Sequence, residues 1–145
     1  MTMPTDILAY NRQVIETFRA NGRRSDGGPM LLLTTTGART GESRTSPMMF
    51  AMLSGRMTVI GSNMGAPKHP AWYHNLIVSP DVTVEVDGED WPATATTVTG
   101  DDRTRLWDEL LRDYPFFADH QAKTTREIPL VELVRQPPVD EVGQD

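Results

Sequence analysis

The residues best equipped for chemistry fall in three short stretches. The first, Gly37-Ala-Arg-Thr-Gly-Glu-Ser-Arg-Thr45, sets two glycines four apart among Arg39, Arg44 and the hydroxyls of Thr40, Ser43 and Thr45. Guanidinium forks and the N–H groups of a tight turn suit phosphate or carboxylate oxygens. A Walker loop is excluded, because it needs Gly-x4-Gly-Lys-Ser/Thr opening a helix. The plain alternative is a hairpin loop with solvated arginines. The second stretch, GSNMGAPKHPAWYHN at 61–75, packs glycines, prolines, Lys68, two histidines and adjacent aromatics into one loop. Pro70 suits the first position of a helix that stops before Pro80. Such a helix offers free N–H groups and a positive dipole end to an anion, with Lys68 just outside. Ala71 and Asn75 then lie one turn apart with Trp72 beside them. That arrangement suits an anionic, partly aromatic ligand; the plain alternative makes Trp72 and Leu76 core anchors. The third stretch spaces Tyr114, Phe117 and His120 three apart, on one face of a helical turn. Read plainly they are core aromatics and a surface histidine; read functionally they wall a pocket and supply a proton donor.

Other chemistries find less support. His69 and His74 are five apart, whereas helical metal ligands favour three or four, so no metal is expected. Ser62 lacks the Gly-x-Ser-x-Gly elbow of a serine hydrolase. Without cysteine there is no disulfide framework, thiolate ligand or cysteine nucleophile. The net charge of −6 argues against nucleic acid as a partner. Residues 27–80 are nonetheless basic: Arg39, Arg44, Arg56 and Lys68 stand against Glu42 alone. A local anionic ligand and ordinary surface solvation both account for this.

The elements that must position these residues can be read from periodicity. Residues 6–21 carry an apolar stripe of Ile7, Leu8, Val14, Ile15 and Phe18, an amphipathic helix. MLLLTTTG (30–37) reads as a buried strand, and 44–53 with 56–62 as a hairpin turned at Ser54-Gly55. DVTVEVD (81–87), the Asp87-Gly88 turn and 89–99 form a second hairpin, in which Pro92 marks an edge or a bulge. Helical spacing covers 101–113 and 115–123, and 128–134 is the last strand. Met48, Met49, Met52, Met57 and Met64 suit either an adaptable pocket or a core.

Six mostly hairpin-connected strands with helices outside them define a mainly β, α+β domain, an antiparallel barrel spanning 1–136. A disordered tail is expected at 137–145. The start of the chain lacks the basic patch and apolar core of a signal peptide. No apolar run approaches the ~20 residues of a membrane span. The reading is a cytoplasmic protein, monomer or homodimer, whose first helix packs on the barrel, pairs with another subunit or makes a peripheral membrane contact.

Three segments together, LLLTTTGARTGESRTSP (31–47), GSNMGAPKHPAWYHNLIVSPDVTVEVDG (61–88) and DYPFFADHQAKTTREIPLVEL (113–133), resemble the deazaflavin-dependent nitroreductase family. The resemblance implies a split β-barrel of the FMN-binding split-barrel type that binds coenzyme F420, a phosphorylated, oligoglutamate-tailed 8-hydroxy-5-deazaflavin. It implies hydride transfer to a small-molecule acceptor: a quinone, nitroaromatic or activated enone. The family's first cofactor loop falls on Ala38, Arg39, Thr40, Arg44, Thr45 and Ser46. Its second falls on Ile60, Gly61, Ser62 and Asn63, with helix contacts at Ala71, Trp72, Tyr73, His74 and Asn75. Lys68 joins Arg39 and Arg44 as an anchor for the anionic portions, and Phe117 joins the cofactor site. Tyr114, with Ser62 and His120 as alternatives, is the implied proton donor. Many relatives carry a basic residue where Asn63 stands. An FMN-binding barrel and a non-catalytic carrier of a deazaflavin or lipophilic ligand are the competing readings.

Overall fold

A computed structural model describes residues 7–25 and 27–137; most of the tail expected at 137–145 lies outside them. The chain runs α1 (Ile7–Ala20), β1 (Met30–Thr36), β2 (Ser43–Leu53), β3 (Arg56–Ile60), a single 3-10 turn (Asn63–Gly65), α2 (Ala71–Val78), β4 (Asp81–Val86), β5 (Glu89–Thr97), α3 (Gly100–Asp113), α4 (Phe116–Ala122) and β6 (Leu130–Arg135). The strands close a barrel in the order β1-β2-β3-β6-β5-β4, every pairing antiparallel. This is the antiparallel barrel expected from the hairpins, and it agrees with the split barrel that the resemblance implies.

Alternation decides which face each strand residue takes. Leu31, Leu33, Phe50, Val59, Val84 and Leu133 fill the interior with Trp91 and Ala95. On the outside, α3 and α4 cover Ala51, Leu53 and Leu130 with Leu106, Leu110 and Phe117, a second apolar core. The two tight hairpins turn through positive φ at Ser54-Gly55 and Asp87-Gly88, the twist that two-residue turns need. Pro92 sits where β5 outruns β6: its carbonyl accepts from the Gln136 N–H, beyond the last β5–β6 strand pair, Ala93 with Arg135. It therefore occupies a local edge, where a missing N–H breaks no ladder bond.

Helix α1 rests on the barrel through an ion pair the sequence pattern conceals. Glu85 is opposite Leu32 in the β1–β4 register, on the outer face, and only 5% exposed. Arg19 grips it bidentately at 2.9 and 2.8 Å, and Arg23 adds a bond at 3.1 Å. The Arg19 hydrogen bonds hold the Glu85 carboxyl below its ordinary range, against the opposing effect of burial. No helix among the described residues is long and apolar enough to cross a membrane.

Candidate functional site

Loop 37–42 is a compact turn between β1 and β2. The Gly37 N–H bonds the Glu42 carbonyl at 2.7 Å, the Gly41 N–H bonds the Gly37 carbonyl at 2.9 Å, and Gly41 takes φ +75°. This closure leaves Ala38, Arg39, Thr40 and Arg44 exposed, with Arg44 3.5 Å from the Glu42 carboxylate. Thr45 turns its hydroxyl to that of Thr34, 2.8 Å across the strand pair, and Ser46 is half-buried beside it.

Loop 61–69 is built differently. Gly61 and Ser62 are buried, and Asn63, Met64 and Gly65 then take three successive left-handed conformations, φ 47°, 55° and 81°. Of the two non-glycine residues, Asn63 tolerates that region and Met64 costs about 1–2 kcal/mol there. A Cβ at Gly65 would stand 2.7 Å from the His120 carbonyl, so the loop lies directly against α4. The Asn63 side chain donates to the Lys68 carbonyl at 3.1 Å, drawing the loop's two ends together, while the Lys68 side chain is exposed.

Two polar side chains gather these segments. Asn75 of α2 is 8% exposed; its Oδ1 accepts from the Ala38 N–H at 2.9 Å and its Nδ2 donates to Thr35 Oγ1 at 3.1 Å. Its amide thus joins α2 to the first loop. The second is Arg126, in the linker before β6. It donates to the carbonyls of Ala66 (2.9 Å), Gly61 (3.0 Å) and Ser62 (2.7 Å) and to His69 Nδ1 (3.0 Å). Sequence reasoning passed over this residue. Its only local signal is an arginine in a polar run before an apolar strand, and its partners lie about sixty positions away.

Helix α2 begins at Ala71, with Pro70 in extended backbone (ψ 153°) as its cap, one residue outside the helix rather than first within it. Ala71 and His74 are exposed and Trp72 is half-buried against the barrel core. Tyr73 is buried in that core, its hydroxyl 3.2 Å from Thr97 Oγ1. The His69 and His74 rings lie 5.7 Å apart, edge to face. Burial, then the Arg126 charge, then His74 lower the His69 imidazole from its ordinary 6.5. Arginine can only donate, so Nδ1 of His69 is an acceptor and its proton sits on Nε2. That lone pair is taken, which disfavours a cation there.

The aromatic stretch divides. Tyr114 ends α3, its N–H bonded to the Leu110 carbonyl, with its ring 6.2 Å from Phe116 and 6.5 Å from Phe117. Phe117 is 3% exposed within the second core. Because α4 starts only at Phe116, its inward face carries 117, leaving 116 beside Tyr114. His120 packs edge-on to both phenylalanines, with a buried Nδ1 that has no partner among the described residues. Tyr114 and Phe116 face Pro47, Met48 and Met49 of β2 and Tyr10 and Val14 of α1 across a cavity of about 530 Å³. A second cavity, about 640 Å³, flanks α1 and shares Tyr10, Val14, Ser25 and Met30. Of the candidate catalytic and cofactor residues read from the sequence, Tyr114 lines a cavity, and Met48 and Met49 of the methionine cluster line the same one. Pro47 directly follows Ser46, so the apolar cavity continues along the strand that leaves the first loop.

Over residues 9–135 the chain matches the family described as F420H(2)-dependent quinone reductase. It is 36% identical over 119 residues to an F420H(2)-dependent quinone reductase of Mycobacterium tuberculosis, covering 79% of this chain and 80% of that protein. A solved F420-H2 dependent reductase, FDR-A, is 37% identical with a TM-score of 0.64, over 72% of this chain and 93% of that one. A structure described as a domain-swapped dimer is 32% identical with a TM-score of 0.67, over 90% and 98%.

Proposed function

The chain belongs to the F420H(2)-dependent quinone reductase family, and from that premise we propose that it reduces a quinone by hydride transfer from reduced coenzyme F420. When bound, the deazaflavin supplies the hydride from C5. The donor set fits this group. Arg39, Arg44 and Lys68 are exposed cations at the ends of the two loops, matched to a phosphate and a carboxylate-rich tail. Thr40, Thr45 and Ser46 would add hydroxyls, and Ile60 to Asn63 with Ala71, Trp72 and His74 of α2 would hold the ring system. Tyr73, Asn75 and Phe117 act only as scaffold for these contacts.

The observation that carries the reading is a pair of long-range links: Asn75 ties α2 to the first loop, and Arg126 ties loop 61–69 to the linker before β6. The cavity that starts at Pro47, next to Ser46, is walled by Met48, Met49, Phe116 and Tyr114 and suits a flat apolar acceptor. Tyr114 and Tyr10 both bring an ionisable hydroxyl to that cavity, and Tyr114, beside Phe116, is the one we assign to protonate or polarise the reduced oxygen. Ser62 is buried and His120 does not line the cavity, so both rank behind Tyr114. Nitroaromatics and activated enones are secondary acceptors of the same hydride-then-proton chemistry. A homodimer is part of the reading, on the precedent of the domain-swapped relative; light scattering tests it.

Separate fluorescence titrations with F420 and FMN, followed by turnover of menadione, nitroaromatics and enones with reduced F420, test the function. F420 binding with quinone turnover is the expected result. Preference for FMN overturns the cofactor, and F420 binding without turnover of any acceptor makes the protein a carrier.

A further inference from the structure

Loop 61–66 holds a backbone that its own sequence does not favour. Its left-handed run at Asn63-Met64-Gly65 persists only where surrounding structure over-determines it. Within the loop the restraints are two backbone bonds, Gly65 N–H to the Ser62 carbonyl at 2.8 Å and Ala66 N–H to the Asn63 carbonyl at 3.0 Å. The Asn63–Lys68 bond, the Gly61 N–H to the Pro129 carbonyl and the packing of Gly65 on α4 add to these, and Arg126 adds the largest group of side-chain bonds. One planar guanidinium reaches the carbonyls on both sides of the turn, Gly61 and Ser62 before it and Ala66 after it, and also the ring of His69. A lysine ammonium has three donors on one atom and cannot span those positions together.

We propose that Arg126 is a positioning residue for hydride transfer: its guanidinium sets the backbone of loop 61–66 and fixes the Nε2–H tautomer of His69. The proposal rests on the F420 reading above, since that loop is the face against which the deazaflavin is held. The role assigned to Arg126 is exerted through the carbonyls it gathers. The groups around His69 are Arg126, His74, the Tyr73 ring at 4.8 Å and the neighbouring Lys68. Removing the guanidinium takes away the one partner that forbids a proton on Nδ1.

Arg126→Gln and Arg126→Lys test this with two independent readouts. In cofactor-free protein, His69 is followed by NMR titration, its signals assigned by their loss in His69→Gln. It titrates below the usual imidazole range in the parent protein and moves up in Arg126→Gln. By fluorescence, F420 affinity falls about tenfold or more in Arg126→Gln and less in Arg126→Lys; at saturating reduced F420, kcat falls while the quinone KM holds. A variant with native circular dichroism and unchanged F420 affinity and kcat overturns the positioning role, even if His69 shifts. Should Arg126→Gln not fold, Arg126→Lys carries the same measurements. Should the parent protein fail to bind F420, the functional reading falls by itself, and the loop clamp is then judged on the His69 titration, where no shift overturns it.

Discussion

The two loops that frame the candidate site use opposite means. Loop 37–42 closes on its own backbone, borrows one external bond from Asn75, and leaves its arginines in solvent. Loop 61–69 has buried glycines, a left-handed run and a guanidinium from a distant linker, and shows solvent mainly Asn63, Met64, Pro67 and Lys68. The first is a mobile-charge device, in which exposed cations attract anions at modest, salt-screened energies. The second is a shaping device, in which backbone geometry has been fixed before any ligand arrives. Damage to the first is expected to weaken attraction, and damage to the second to destroy fit.

Glycine substitutions separate the two most sharply. Gly65→Ala adds a Cβ at positive φ and within 2.7 Å of the His120 carbonyl. We expect a loss of more than the ~1–2 kcal/mol of conformational strain alone, together with loss of F420 binding. Gly41→Ala is also at positive φ, but nothing lies within 4 Å of its Cβ. It should cost only that strain and leave F420 affinity within about threefold. Thermal melts and fluorescence titration of the pair check this, and equal losses would dissolve the contrast.

Asn75→Ala tests the link between loop and helix. It strips Thr35 Oγ1 and the Ala38 N–H of their partner and should destabilise the protein by about 1–3 kcal/mol, measured by urea unfolding. Arg44→Ala should be smaller still in stability, within ~0.5 kcal/mol, because Arg44 is an exposed charge. Its effect belongs to binding: F420 affinity drops several-fold at low salt, and the drop shrinks as ionic strength rises. Unchanged affinity would remove Arg44 from the anchor.

The smallest expected effect is that of pH. The folded-state value of His69 lies below the unfolded one, so its contribution to stability is complete above the imidazole range and is lost as pH falls toward the folded value. Amide protection of Gly65 should therefore decline in mild acid, while that of Gly41, whose loop contains no histidine, should not. Glu85 has the same sign at lower pH: its carboxylate, held down by Arg19, supports α1 docking until pH falls through its folded value.

Much of this molecule follows from its sequence alone. Strand alternation, hairpin turns at Ser54-Gly55 and Asp87-Gly88, and helical spacing are local signals, so the elements and the closed antiparallel barrel could be read from residue types. The basic loop and the Pro70 entry to a helix were legible for the same reason. What each polar or aromatic side chain faces was not. Phe116 and Phe117 have the same chemistry, and only the start of α4 against the second core sends one to a cavity and the other inside. Tyr73 and Asn75 carry groups that suit a ligand equally well, yet Thr97, Thr35 and Ala38 claim them first. Glu85 looks like a solvated strand residue until α1 covers it with Arg19. Arg126 reads as linker until the fold brings three carbonyls and a histidine around it. The sequence determined the elements, because periodicity is local; tertiary structure decided which groups were already satisfied, because hydrogen-bond partners are assigned by contacts across the chain.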